Sequence, residues 1–143
     1  MNKTEFVENY TPVVSKPVIL LVEDDDGVRR LVRLILESRG YLVLDACNGA
    51  DGLALCGAHK GRIDLLLSDV MMPRLGGREL AHGAMKMRPD LRVLFMSGHN
   101  EDIVEQDGMC RGNGFLQKPF TSGALTQKIV AAMAAPMARS AEA

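Results

Sequence analysis

The sequence predicts a doubly wound α/β fold, in which five parallel strands lie between two layers of helices. Three observations carry that prediction. Short apolar runs (Val18 to Val22, Leu65 to Leu67, Val93 to Met96, and Phe115-Leu116) stop abruptly at polar residues, the habit of strands buried on both faces. Segments with helical spacing of apolar residues alternate with these runs, and such alternation builds parallel sheets through right-handed crossovers. The residues that end the runs are Glu23 and Asp24, Asp69, Ser97, and Lys118. In open α/β sheets, ligands bind at the carboxyl ends of the strands.

Taken in order, Val18–Val22 is the first strand. The next segment, 25–39, is a helix with Val28, Leu31, Val32, Ile35 and Leu36 on its apolar face and Gly40 as its stop. Asp25 and Asp26 serve its start, where side-chain oxygens satisfy unpaired N–H groups. A strand at Leu42–Ala46 and a helix over 49–59 carrying Leu53 and Leu55 follow. A strand over 63–68 leads into a loop with Pro73, Gly76 and Gly77, then a helix over 78–87 that Pro89 ends. A strand over 92–96, a short helix over 101–106 and a strand over 114–117 come next. The last helix spans 121–133, with Leu125, Ile129 and Met133 four residues apart and Thr121 as N-cap.

Composition bounds the function. The chain has 143 residues, 47% hydrophobic and 24% charged, which suits one globular domain able to bury a core. Its 17 basic and 18 acidic residues leave a net charge of -1, so no basic excess invites nucleic acid or an anionic membrane surface. Cys47, Cys56 and Cys110 lack ligand spacing and read as reduced thiols. The first apolar run is too short for a signal sequence or a membrane span, and a cytoplasmic location is expected. Residues 1–16 read as a flexible leader, 17–134 as the folded domain, and 135–143, broken by Pro136, as a tail or linker stub.

Carboxylates, one hydroxyl and one ammonium delivered to a single sheet edge can hold a divalent cation and a phosphoryl group together. Four motifs sharpen this: Val22-Glu23-Asp24-Asp25, Asp69-Val70-Met71-Met72-Pro73, Met96-Ser97-Gly98 and Lys118-Pro119-Phe120. With them, residues 16 to 133 resemble a receiver domain of two-component signalling. The resemblance implies a flavodoxin-like (CheY-like) three-layer sandwich with strand order 2-1-3-4-5. It also implies that Asp69 is the phosphoacceptor and that Mg²⁺ is held by Asp24, Asp69 and the backbone carbonyl of Met71, with Glu23 acting through water. Glu23 departs from the commoner aspartate at its position.

By the same resemblance, Lys118 pairs with Asp69 and then with the phosphoryl oxygens, and the Lys118-Pro119 peptide is cis. Ser97 hydrogen-bonds the phosphoryl group, and Phe115 turns inward as the switch; many relatives have tyrosine there. Clustered carboxylates repel, so at least one pKa should rise without metal. The partner is a histidine kinase or a histidine phosphotransfer protein, and exposed Leu34 on the first long helix is a candidate docking contact. His99, two residues past Ser97, could govern access of water. The run from Phe115 to Thr121 is similar to receivers attached to hybrid histidine kinases.

Two rivals remain in view. Asp24-Asp25-Asp26-Gly27-Val28 also fits the first motif of haloacid-dehalogenase-type phosphatases, with Asp24 as nucleophile and Asp26 as acid. That reading lacks an acidic pair after Lys118 and leaves Asp69 without a purpose. The other rival is a receiver-like interaction module that is never phosphorylated, against which the complete set of Asp69, Ser97, Lys118 and an acidic pair argues.

Overall fold

In the computed structural model, residues 15–98 and 115–134 are described. They form β1 (Val18–Val22), α1 (Asp26–Ser38), β2 (Leu42–Ala46), α2 (Gly49–Ala58), β3 (Leu65–Asp69), α3 (Gly77–Met87), β4 (Arg92–Ser97), β5 (Phe115–Gln117) and α4 (Ser122–Ala134). The strands make one sheet in the order β2-β1-β3-β4-β5, every pair parallel. The expected order 2-1-3-4-5 is thus observed.

Strand side chains alternate between the two faces, and the core divides accordingly. Leu20, Val22, Leu66 and Phe95 pack with Cys56 of α2 and Leu80, Ala81 and Ala84 of α3. Ile19, Leu21, Leu65, Leu67, Leu94 and Met96 face the other way, against Val32 and Leu36 of α1 and Leu125, Ile129 and Ala132 of α4. Each fully buried leucine of this kind contributes about 1.5–3 kcal/mol through removal of apolar surface from water.

Local chemistry sets the helix ends. The Asp25 side chain accepts the Val28 N–H at 2.9 Å and caps α1. Gly40, at φ 94°, closes α1 in the left-handed region, which a side chain would resist. Asn48 caps α2 by accepting from Asp51 N–H at 2.7 Å. Thr121 caps α4, accepting from Ala124 N–H at 3.0 Å, as its sequence position predicts.

Two expectations need correction. Leu31, assigned to the buried face of α1, is 57% exposed, because Val32 and Leu36 supply that face and the neighbouring turn points outward. In α2, Leu53 and Leu55 pack half buried against the core, as expected, and Gly49, Gly52 and Cys56 are buried. The third strand runs over 65–69 and not 63–68. At its entrance the Asp64 carboxylate accepts from Val18 N–H at 2.8 Å and from Arg62 Nε at 2.6 Å. An apolar run without a period marks a strand but not its ends. The helix expected over 101–106, His99, Cys110 and residue 114 lie outside the described residues, as do the tail and nearly all of the leader.

Candidate functional site

The parallel register brings the site together. Val22, the last residue of β1, lies beside Ser68 of β3, and Asp69 beside Met96 of β4. Glu23 and Asp24 therefore leave the sheet next to Asp69, with Ser97 one strand further on. Lys118 follows β5, and its backbone N–H donates to the Ser97 carbonyl at 2.8 Å. The Lys118-Pro119 peptide is cis.

Carboxylate oxygens of Glu23, Asp24 and Asp69 all lie within 4.8 Å of one another. Glu23 and Asp69 are buried and Asp24 is exposed. Oxygen donors at this spacing, one reaching solvent, suit a hard divalent cation that retains part of its water shell. Met71, two residues past Asp69, is 61% exposed.

Lys118 Nζ bridges two of the acids, donating to Glu23 Oε1 at 2.6 Å and to Asp69 Oδ2 at 3.1 Å. The expected pairing with Asp69 is present, but Glu23 is the nearer partner. Burial pushes the Glu23 carboxyl up from its usual range, and the Asp69 charge adds to this, while Lys118 and the Asp25 N–H oppose it. Mutual repulsion, expected from the sequence, contributes less than desolvation. Burial works against the Lys118 ammonium, yet the hydrogen bond to Glu23 and the charge of Asp69 outweigh it and raise the Lys118 pKa.

Further residues shape the edge without being legible as such. Arg29 Nη1 donates to the Glu23 carbonyl at 2.9 Å, and Arg29 also pairs with Asp26 at 2.7 Å and Asp45 at 3.3 Å. Ser68, fully buried, donates its hydroxyl to the Asp69 carbonyl at 2.9 Å. Gly77 stands against that same peptide, and only the Gly76-Gly77 pair in the sequence could have signalled it. Ser97 is buried at the end of β4. Phe115, beside Phe95 in the ladder, is half buried against the α2 and α3 side of the core. Leu34 is 60% exposed on α1, as its place on the helix predicts. The Asp26 carboxylate, the acid that the phosphatase reading requires, is instead held by Arg29.

Comparison with known proteins agrees with this geometry. The family described as "Response regulator receiver domain" matches residues 19–130. The sensor kinase CckA of Brucella abortus is 37% identical over 120 residues, covering 83% of this chain but only 13% of the kinase. The response regulator receiver protein CpdR of the same organism is 37% identical over 103 residues, covering 71% of this chain and 84% of CpdR. Among solved structures, the receiver domain of the hybrid histidine kinase CckA superposes with a TM-score of 0.69 at 34% identity, covering 81% of this chain and 98% of that one. The phosphatase alternative is not favoured. Among the described residues no helix is long and apolar enough to cross a membrane. An acidic edge, a hydroxyl and a lysine on a sheet of order 2-1-3-4-5 thus meet a family match over most of the chain, and the chain belongs to the response regulator receiver domains of two-component signalling.

Proposed function

We propose that Asp69 takes a phosphoryl group from a histidine kinase or a histidine phosphotransfer protein and that the chain relays the signal in that form. The carrying observation is a carboxylate at the sheet edge with an ammonium at 3.1 Å and two further carboxylates within 4.8 Å. An Asp69 oxygen attacks phosphorus. The new O–P bond forms as the P–N bond to the donor imidazole breaks, and the imidazole leaves with the electron pair and gains a proton from solvent. Lys118 neutralises charge on the transferring oxygens, and the Ser97 hydroxyl donates to one of them. Later attack by water on phosphorus releases phosphate and restores the carboxylate.

Asp24, Asp69 and the Met71 carbonyl would hold Mg²⁺, with Glu23 one layer behind; when bound, the cation offsets the negative charge that builds on the phosphoryl oxygens. Engagement of Ser97 by the phosphoryl group draws the β4 end inward and lets Phe115 follow, a local charge event that biases a two-state surface. The half-buried position of Phe115 supports this. Docking of the histidine-bearing partner would use the exposed Leu34.

Acetyl phosphate with Mg²⁺ tests the reading without a cognate kinase. Intact-protein mass should rise by one phosphoryl group, with the label on Asp69 and absent from Asp69→Asn. A label that persists in Asp69→Asn, or none in the wild type, refutes it.

A further inference from the structure

Glu23 has more contacts than an outer-layer metal ligand needs. Its side chain is buried, and each of its two oxygens already accepts a hydrogen bond. Oε2 takes the Asp25 N–H at 3.0 Å, and Oε1 takes Lys118 Nζ at 2.6 Å. The first bond fixes the carboxylate on the backbone that leads into α1. The second is 0.5 Å shorter than the bond from Lys118 to Asp69, the difference between 3.1 and 2.6 Å. Arg29 further steadies the Glu23 main chain through its carbonyl. An ammonium shared unequally between a backbone-anchored, buried acid and a second acid rests with the first, since charge-assisted bonds shorten as they strengthen.

We infer that Glu23 is a positioning residue for Lys118: it tethers the ammonium over the sheet edge and keeps it from closing fully onto Asp69. The inference rests on the reading of Asp69 as phosphoacceptor. It gives the glutamate a purpose of its own. The side chain carries one methylene more than aspartate, and that length lets a carboxylate rooted at the β1 end reach the lysine that follows β5. Held there, Lys118 is set in advance where negative charge develops, so little reorganisation accompanies the reaction.

The tether is read directly by the exchange of the Lys118 ammonium protons, in ¹⁵N-labelled protein without Mg²⁺. The Lys118 resonance is identified by its disappearance in Lys118→Arg. Asp69→Asn should retain it. Glu23→Gln, which keeps size and loses charge, and Glu23→Asp, which keeps charge and loses reach, should each speed its exchange by about tenfold or more, the scale of one charged hydrogen bond. With acetyl phosphate and saturating Mg²⁺, both Glu23 variants should be labelled more slowly, with Glu23→Asp not rescuing the rate. Loss of the resonance in Asp69→Asn, with retention in both Glu23 variants, overturns the tether. Failure of the wild type to gain a phosphoryl group overturns the reading of Asp69 instead, and the ammonium exchange reports on the tether regardless.

Discussion

Gly77 stands so close to the main chain of Asp69 that a Cβ built on it would lie 2.1 Å from the Asp69 carbonyl oxygen and 3.0 Å from its carbonyl carbon. The Val70 N–H donates to the Met96 carbonyl at 3.0 Å and the Asp69 carbonyl accepts from the Ser68 hydroxyl at 2.9 Å, so the peptide after Asp69 is fixed from two sides, while the Gly77 N–H holds the next carbonyl, that of Val70, at 2.9 Å. Neither neighbour is the flexible end of a side chain. Gly77→Ala must therefore displace backbone, at about 1–3 kcal/mol as in other overpacked sites. Chemical denaturation would measure the loss, and acetyl phosphate labelling of the folded variant should be slower than wild type.

If Asp24 holds Mg²⁺ as proposed, its removal should uncouple metal from stability. Mg²⁺ at a hundredfold excess over its Kd stabilises a folded site by about 2.7 kcal/mol. Melting temperature should rise with Mg²⁺ in the wild type and stay flat in Asp24→Asn. An equal rise in both would show that the cation sits elsewhere.

Leu34 and Leu36 separate docking from packing on one helix. Leu34 is exposed, so Leu34→Glu should change stability by no more than about 0.5 kcal/mol. It should slow phosphotransfer from the histidine-bearing partner and leave acetyl phosphate labelling unchanged. Leu36 is fully buried, and Leu36→Ala should lower stability by about 2–5 kcal/mol.

Cys47 and Cys56 should differ sharply toward a thiol reagent in a Cys110→Ser background, Cys47 reacting freely and Cys56 only as the fold opens. Burial raises the Cys56 thiol above its usual 9.0, with Arg88 opposing the shift. Between 9.0 and the higher folded value, the unfolded chain has lost a proton that the native chain keeps. The stabilisation is thus complete below 9.0 and is lost as pH rises through the folded pKa. Cys56→Ala should flatten the alkaline slope of stability after its own packing loss is subtracted.

Much of this was legible in the sequence because strands buried on both faces write themselves as unbroken apolar runs. β1 and β2 have the expected bounds, and Asp25 and Thr121 cap the helices they were assigned. The faces of α1 were harder to read. A stripe drawn through Leu31 and Ile35 is nearly as apolar as one drawn through Val32 and Leu36, and only the sheet decides between them. The contact between Glu23 and Lys118 spans 95 positions, and no local period encodes a side-chain bond between residues so distant. Gly77 was visible as a loop glycine, but its closeness to Asp69 depends on how the β3–α3 loop turns.

Arg88, the residue after α3, donates to the carbonyls of Cys56, His59 and Gly61 at 3.0, 2.6 and 2.7 Å. The end of α2 and the entry to β3 thus hang on one guanidinium. In dynamic terms, α2 cannot fray at its carboxyl end without releasing the end of α3. The two helices should open together in amide exchange as one cooperative unit, while α1 and α4 across the sheet exchange on a separate schedule. A receiver built this way can loosen one layer of its sandwich and keep the other closed.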